Sequence, residues 1–184
     1  METINKINQL FHAVKESDAD TLKSLIKSGV DIKSVDEQGK TPLHYAKSPT
    51  IVKILFNRGA DVNATDIHGR TALYYAESPS VAKLLLKHDV NINTVDIHGQ
   101  TPLHHAHGAV AGVFIARGMD VNARDKLGRT ALHYAEDPDM VKLLIDHGAD
   151  PSITDKDGYT ALGLVEKTNQ ALIDAHVNYK KEGF

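Results

Sequence analysis

A chain of 184 residues with 41% hydrophobic content can bury a substantial core, as one domain or one continuous array, and its zero cysteines exclude a disulfide scaffold and thiol chemistry. Its 24 acidic and 21 basic side chains leave a net charge of -3 with no long run of like sign, so nothing in it suggests a nucleic-acid footprint. No stretch approaches the roughly 20 apolar residues needed to span a bilayer, and residues 1–17 alternate polar and apolar side chains, unlike a secretory leader. The expectation is a cytoplasmic protein away from membranes, with export as an effector lacking a cleavable signal left open.

Residues 36–43 read Asp-x-x-Gly-x-Thr-(Pro/Ala)-Leu, and the pattern returns at 66–73, 96–103, 125–132 and 155–162. Successive aspartates stand 30, 30, 29 and 30 residues apart. A period of that length marks a stack in which each unit packs on its neighbours. In the unit at 66–95, Asp66-Ile67-His68-Gly69 predicts a tight turn with Gly69 at positive φ. Thr71 is placed as an N-cap whose hydroxyl accepts a free backbone N–H. In sister units Pro42 and Pro102 fill the first helical position, so a short helix follows. Ser78-Pro79 starts a second helix with Val81, Leu84 and Leu85 at helical spacing, and Ser48-Pro49 and Asp137-Pro138 repeat the device. That helix stops at Gly59, Gly118 or Gly148, each suited to a left-handed position, with Asp89 as the tolerated substitute.

Turn, short helix, second helix and an extended link through Asp61-Val62-Asn63 or Asp120-Val121-Asn122 closely resemble the ankyrin repeat. The matching residues are Thr41-Pro42-Leu43-His44-Tyr45-Ala46 and Thr101-Pro102-Leu103-His104-His105-Ala106, then Gly59-Ala60-Asp61-Val62-Asn63 and Gly148-Ala149-Asp150. The resemblance implies an all-α solenoid of stacked helix pairs with projecting β-turn loops. It would form a single array over residues 1–184, with an N-terminal cap at 4–35, internal units at 36–65, 66–95, 96–124 and 125–154, and a C-terminal cap at 155–184. Ankyrin units typically run about 33 residues. Here three are missing between the two helices, around Lys47-Ser48-Pro49-Thr50, whereas Ala13 to Asp20 keeps the full link. A shorter inner helix and a shallower concave wall are expected. The unit at 96–124 departs most, losing one more residue and its Ser-Pro start and placing Gly108 and Gly112 around its second helix, where each interior glycine costs about 1 kcal/mol.

Most of the 11 histidines follow from the repetition. The resemblance implies that His44, His104 and His133 link neighbouring turns by hydrogen bonds, with Tyr74 breaking the series. Tyr45, Tyr75 and Tyr134, with His105 in the unit at 96–124, are expected to pack in the core with their polar ends at the rim. Asn63, Asn93 and Asn122 brace backbone, though in animal cells such asparagines are hydroxylase targets. Only His104, His105 and His107 lie close enough in sequence to suggest a metal or a small-molecule-responsive site, and successive helical residues face different ways. Asp155-Lys156-Asp157-Gly158 lacks the ligand spacing of a calcium loop. Phosphate-loop, zinc-helix and nucleophile-elbow motifs are absent, so no enzyme activity and no cofactor are expected.

Leu43, Leu73, Leu103, Leu132 and Leu162, with Leu55, Leu85 and Leu144, read as inter-unit core. Recognition falls to what varies. The family uses its turn tips and inner-helix face, which here places partner binding on Ile67, His68, Arg70, Ile97, His98, Gln100, Lys126, Leu127, Arg129 and Tyr159. Apolar Ile67, Ile97, Leu127 and Tyr159 at exposed positions, rimmed by Arg70 and Arg129, fit an interface. The expected function is a monomeric, non-enzymatic scaffold that binds another protein.

Overall fold

The structure is a computed structural model that describes residues 2–164. The part of the expected C-terminal cap beyond residue 164, and the side chain of Leu162, lie outside what is described. The chain divides into two compact units, Met1–Thr94 and Val95–Phe184. Among the described residues the secondary structure is helical, with one isolated antiparallel bridge between Thr154 and Thr160.

In the first unit, α1 (Glu2–Lys15) and α2 (Ala19–Lys27) form an antiparallel pair. The start of α2 is fixed by Asp18, whose carboxylate accepts the backbone N–H groups of Asp20 and Thr21 at 3.2 and 3.0 Å. Two repeats follow, each a single inner turn and an outer helix: Pro42–Tyr45 with α3 (Pro49–Phe56), then Ala72–Tyr75 with α4 (Pro79–Leu85). In the second unit the pairs are α5 (Pro102–His105) with α6 (Gly108–Ala116), and Ala131–Tyr134 with α7 (Pro138–Asp146), ending in α8 (Ala161–Leu164). The inner helix is four residues long in every repeat, and in three of them it is a tight 3-10 turn. The three-residue shortfall explains this, since the chain must reach the Ser-Pro or Asp-Pro start of the outer helix almost at once.

Those starts behave as expected. Ser48 accepts from the Thr50 N–H, Ser78 from the Val81 N–H and Asp137 from the Asp139 N–H, each with proline as the first helical residue. The stops are left-handed, with Gly59 at φ +78° and the substitute Asp89 at +54°. Gly59 donates to Phe56 O at 2.9 Å and Ala60 to Leu55 O at 3.1 Å, which satisfies the last carbonyls of α3. In the unit at 96–124, α6 runs unbroken for nine residues despite its glycines. Its irregularity lies at the start, where His107 makes no capping bond and Gly108 sits at φ +49°.

The core of each unit is the set of leucines that recur in the motif. Leu43, Leu55, Leu73 and Leu85 in the first unit, and Leu103, Leu132 and Leu144 in the second, are buried, joined by Leu10, Leu22 and Ile51 and by Phe114 respectively. Truncating one to alanine should cost roughly 2–5 kcal/mol, because such a site relaxes only partly.

Candidate functional site

The projecting turns are built around the repeated aspartate. One oxygen of Asp36 accepts the backbone N–H groups of Gln38 and Lys40, both at 2.9 Å, while Gly39 donates to Asp36 O. Asp66, Asp96, Asp125 and Asp155 do the same in their own turns. The turn at Asp155 is thus one more member of the series, with the carboxylate oxygen already occupied. Neighbouring turns join through backbone: Ile67 N donates to Gln38 O at 3.0 Å, Lys126 N to His98 O at 2.8 Å and Lys156 N to Leu127 O at 2.8 Å. The contact is close enough to require glycine. A Cβ on Gly39, at φ +71°, would stand 3.1 Å from Ile67 N and 3.3 Å from Ile67 Cγ2.

The second oxygen of the aspartate faces the inner surface and takes the tyrosine nine residues on. Tyr45 donates to Asp36 at 2.5 Å, Tyr75 to Asp66 at 2.5 Å and Tyr134 to Asp125 at 2.6 Å. The rings are half-buried, and Tyr75 and Tyr134 stack edge-on against His44 and His104 of the preceding turn. Burial, followed by the hydrogen bond to the ionised Asp36, pushes the Tyr45 hydroxyl up to about 12. For Asp66 burial acts against the charge, but the Tyr75 hydroxyl, two backbone N–H groups and Arg70 outweigh it, and its pKa lies below the usual carboxylate value. His105 takes the tyrosine position in the unit at 96–124, with Nε2 at 3.6 Å from Asp96.

The histidine links form as the resemblance implied. Nδ1 of His44 accepts the Thr41 N–H at 3.0 Å and lies 2.9 Å from the Thr41 hydroxyl, so Nε2 carries the proton and donates to Arg70 O at 3.0 Å. His104 and His133 repeat the pattern toward Arg129 O and Tyr159 O. Burial lowers the pKa of all three rings, which keeps them neutral. The threonine is the N-cap residue of each inner turn, and at Thr41, Thr101 and Thr130 it forms a capping box with the histidine, whereas the hydroxyl bond expected of Thr71 itself does not form. It is the histidine ring that holds the N-cap N–H, and where Tyr74 replaces histidine the Thr71 hydroxyl is buried without a hydrogen-bond partner. Tyr74 instead donates to Thr94 O at 2.6 Å.

The sites expected to contact a partner separate into two groups. Ile67, Ile97, Leu127 and Tyr159 are between 47% and 61% exposed, and His98 is exposed beside them. His68 is half-buried. The expected polar rim is committed to internal bonds. Arg70 pairs with Asp66 at 3.1 Å, Arg129 with Asp155 at 3.1 Å, Gln100 reaches Asp125 at 3.3 Å and Lys126 Nζ reaches Ile97 O at 2.7 Å. Sequence reasoning missed Val35 and Val95, which are 57% and 50% exposed immediately before the turn aspartate. Their signal is an apolar residue just before the motif aspartate in two of the five repeats.

Asn63 accepts from Asn91 N and donates to Asp89 O, and Asn122 makes the equivalent pair with Asp150 N and Gly148 O, so both act as backbone braces. His105 and His107 line an open groove of about 380 Å³ with Tyr134, Asp137 and Met140. Both ring nitrogens of His104 are occupied, and no group of three or more His, Cys, Asp or Glu among the described residues could hold a metal. The metal alternative has no support in this arrangement. No helix among the described residues is long and apolar enough to cross a membrane.

A turn tip held by aspartate, a one-turn inner helix and an antiparallel outer helix, repeated and cross-linked by histidine, define a helical-repeat protein. The family description "Ankyrin repeats (3 copies)" matches the chain in overlapping windows at residues 10–96, 48–125, 78–155 and 107–175, and the chain belongs to the ankyrin-repeat family. It is similar to an ankyrin repeat protein of Acanthamoeba polyphaga mimivirus, 35% identical over 74 residues, which is 38% of this chain and 10% of that relative. The chain thus spans about a tenth of the length of the curated relative it matches. Ankyrin repeats are generally protein–protein interaction modules and generally non-enzymatic.

Proposed function

We propose that this chain is a non-enzymatic scaffold that binds a partner protein through its turn tips and inner face. One observation carries the reading: among the described residues, the large apolar side chains left exposed sit on the projecting turns. They are Val35 and Ile67 in the first unit, and Val95, Ile97, Leu127 and Tyr159 in the second. Exposed apolar groups repeated on the turns of each unit fit a docking surface better than scattered surface residues do. Full burial of one such side chain by a partner is worth about 1.5–3 kcal/mol. The turns are already ordered by their aspartates and backbone bonds, so binding loses little conformational entropy. A single array, a monomeric state and a cytoplasmic setting belong to the same reading.

The test replaces Ile67, Ile97 and Leu127 together with serine and compares capture of binding proteins by the variant and the parent. Loss of the captured set with unchanged circular dichroism and thermal melting supports the reading. Full retention of every partner in the folded variant overturns it.

A further inference from the structure

The inner face of the first unit carries a ladder of alternating cations and aromatic rings. Lys15 Nζ lies 4.2 Å from the centre of the Tyr45 ring, and Lys40 Nζ lies 5.4 Å from the same ring and 4.3 Å from that of Tyr75. The Arg70 guanidinium lies 5.1 Å from the centre of the same Tyr75 ring. Arg70 is neutralised by Asp66, whose side chain is fully buried. Lys15 and Lys40 form no ion pair among the described residues.

The second unit shows that this is a choice of residue and not a property of the turn. At the position of Lys40, Gln100 reaches forward to Asp125 and Arg129 reaches forward to Asp155, so those side chains are occupied within the unit. Lys40 instead rests on rings, and Asp66 is satisfied without it by Tyr75, Arg70 and two backbone N–H groups. An ammonium over a tyrosine face keeps most of its charge available to a third group, because a ring quadrupole attracts it without neutralising it. The same rings hydrogen-bond the ionised Asp36 and Asp66, so Lys15, Lys40 and Arg70 stand against two carboxylates here, an excess of one positive charge on a chain whose net charge is -3.

We infer that the face formed by Lys15, Tyr45, Lys40 and Tyr75 receives an acidic segment of the partner, an extended peptide whose carboxylates sit on the two ammoniums and whose backbone lies along the rings. The inference rests on the scaffold reading and names the chemistry of its occupant. Successive rungs follow the roughly 8–10 Å separation of packed repeats. Alternate side chains of an extended peptide stand about 7 Å apart, a difference that flexible glutamate side chains bridge. Carboxylate–ammonium contacts of this kind are charge-assisted and screened by salt.

The probe is a fluorescein-labelled peptide of alternating Glu and Ala, titrated by anisotropy with the full chain at low and at physiological salt. Saturable binding is expected, weakening as salt rises. Lys15→Gln with Lys40→Gln is expected to lose affinity about tenfold or more. The control pair Lys23→Gln with Lys142→Gln removes the same charge from ion pairs elsewhere and should change it by less than about twofold. Circular dichroism verifies that both variants are folded. Absence of saturable binding to the parent chain overturns the inference, as does an equal loss in the control pair. Tighter, Lys15- and Lys40-dependent binding of a labelled oligothymidylate of equal charge also overturns it in favour of a nucleic-acid occupant. Should any of these occur while capture still depends on Ile67, Ile97 and Leu127, the acidic occupant is rejected and the scaffold reading stands.

Discussion

Three inner turns close on a histidine and one closes on a tyrosine, yet the backbone enters each through an N-cap threonine in the same extended conformation. The N-cap threonine sits at φ -80°, ψ 166° in the Thr41 turn, at -85°, 167° in the Thr101 turn and at -83°, 172° in the Thr71 turn that lacks histidine. The leucine at the centre of each turn is equally buried, Leu43 at 3%, Leu73 at 1% and Leu103 at 1%. The apolar anchor and the local chain geometry therefore set the shape of the turn, and the histidine answers a different need. It gives partners to a buried N–H and a buried hydroxyl and a second donor to a carbonyl of the next turn at once, whereas Tyr74 leaves the Thr71 hydroxyl unanswered.

The largest effects should not discriminate between the two kinds of turn. Leu73→Ala and Leu132→Ala are each expected to lose about 2–5 kcal/mol in urea unfolding. A much smaller loss at Leu73 would show that the whole Thr71 turn is loose, contrary to its buried core. The histidine itself comes next. His133→Phe strands the Thr130 N–H and hydroxyl, leaves the Tyr159 carbonyl with the Asp155 N–H alone, and should cost about 1–3 kcal/mol, whereas Tyr74→Phe removes the bond to Thr94 O and should cost about 1 kcal/mol.

Acid should expose the same asymmetry. His44, His104 and His133 have pKa values lowered by burial, so the unfolded chain binds more protons than the folded one once the pH drops below about 6.5. Their contribution is whole above that value and declines as pH falls through it toward the folded values. The turn aspartates Asp36, Asp66 and Asp125, whose values are lowered despite burial by tyrosine and backbone donors, begin to lose theirs only as pH falls below about 3.9. Urea midpoints should therefore decline in two stages, and His133→Phe should flatten the first. A single decline beginning near pH 4 would rule out the neutral, doubly bonded rings.

The smallest effects are the most diagnostic. Thr130→Val should lose about 1 kcal/mol, while Thr71→Val should be neutral or gain up to about 1 kcal/mol by removing an orphaned hydroxyl. Equal losses at the two sites would mean that Thr71 has a partner after all. On α6, nothing lies within 4 Å of a Cβ built on Gly112, so Gly112→Ala should gain about 0.5–1 kcal/mol, whereas Gly108→Ala meets a strained φ of +49°.

Much of this fold was legible from local chemistry. Gly59 and Asp89 announce left-handed stops, and Ser78-Pro79 announces a helix start. In each case the physical cause lies within a few residues of the signal. The candidate site was legible only in part. Exposure of Ile67, Ile97, Leu127 and Tyr159 followed from their place in a projecting turn. The fate of Arg70, Gln100, Lys126 and Arg129 did not, because each bonds to an aspartate or carbonyl whose direction depends on how turns stack.

By itself the sequence determined the repeat, its 30-residue period and the identity of the core leucines, since all three arise from short-range geometry multiplied by repetition, while the role of the linking histidines came from the family resemblance. Only the tertiary structure decided that the aspartate serves two masters, turn backbone on one oxygen and tyrosine on the other, and that Lys15 and Lys40 lie on rings while Gln100 and Arg129, at the Lys40 position in the second unit, are bonded within it. Apart from the turn bonds themselves, those facts depend on distances between residues 9 to 35 positions apart, which the packing of one element on the next creates.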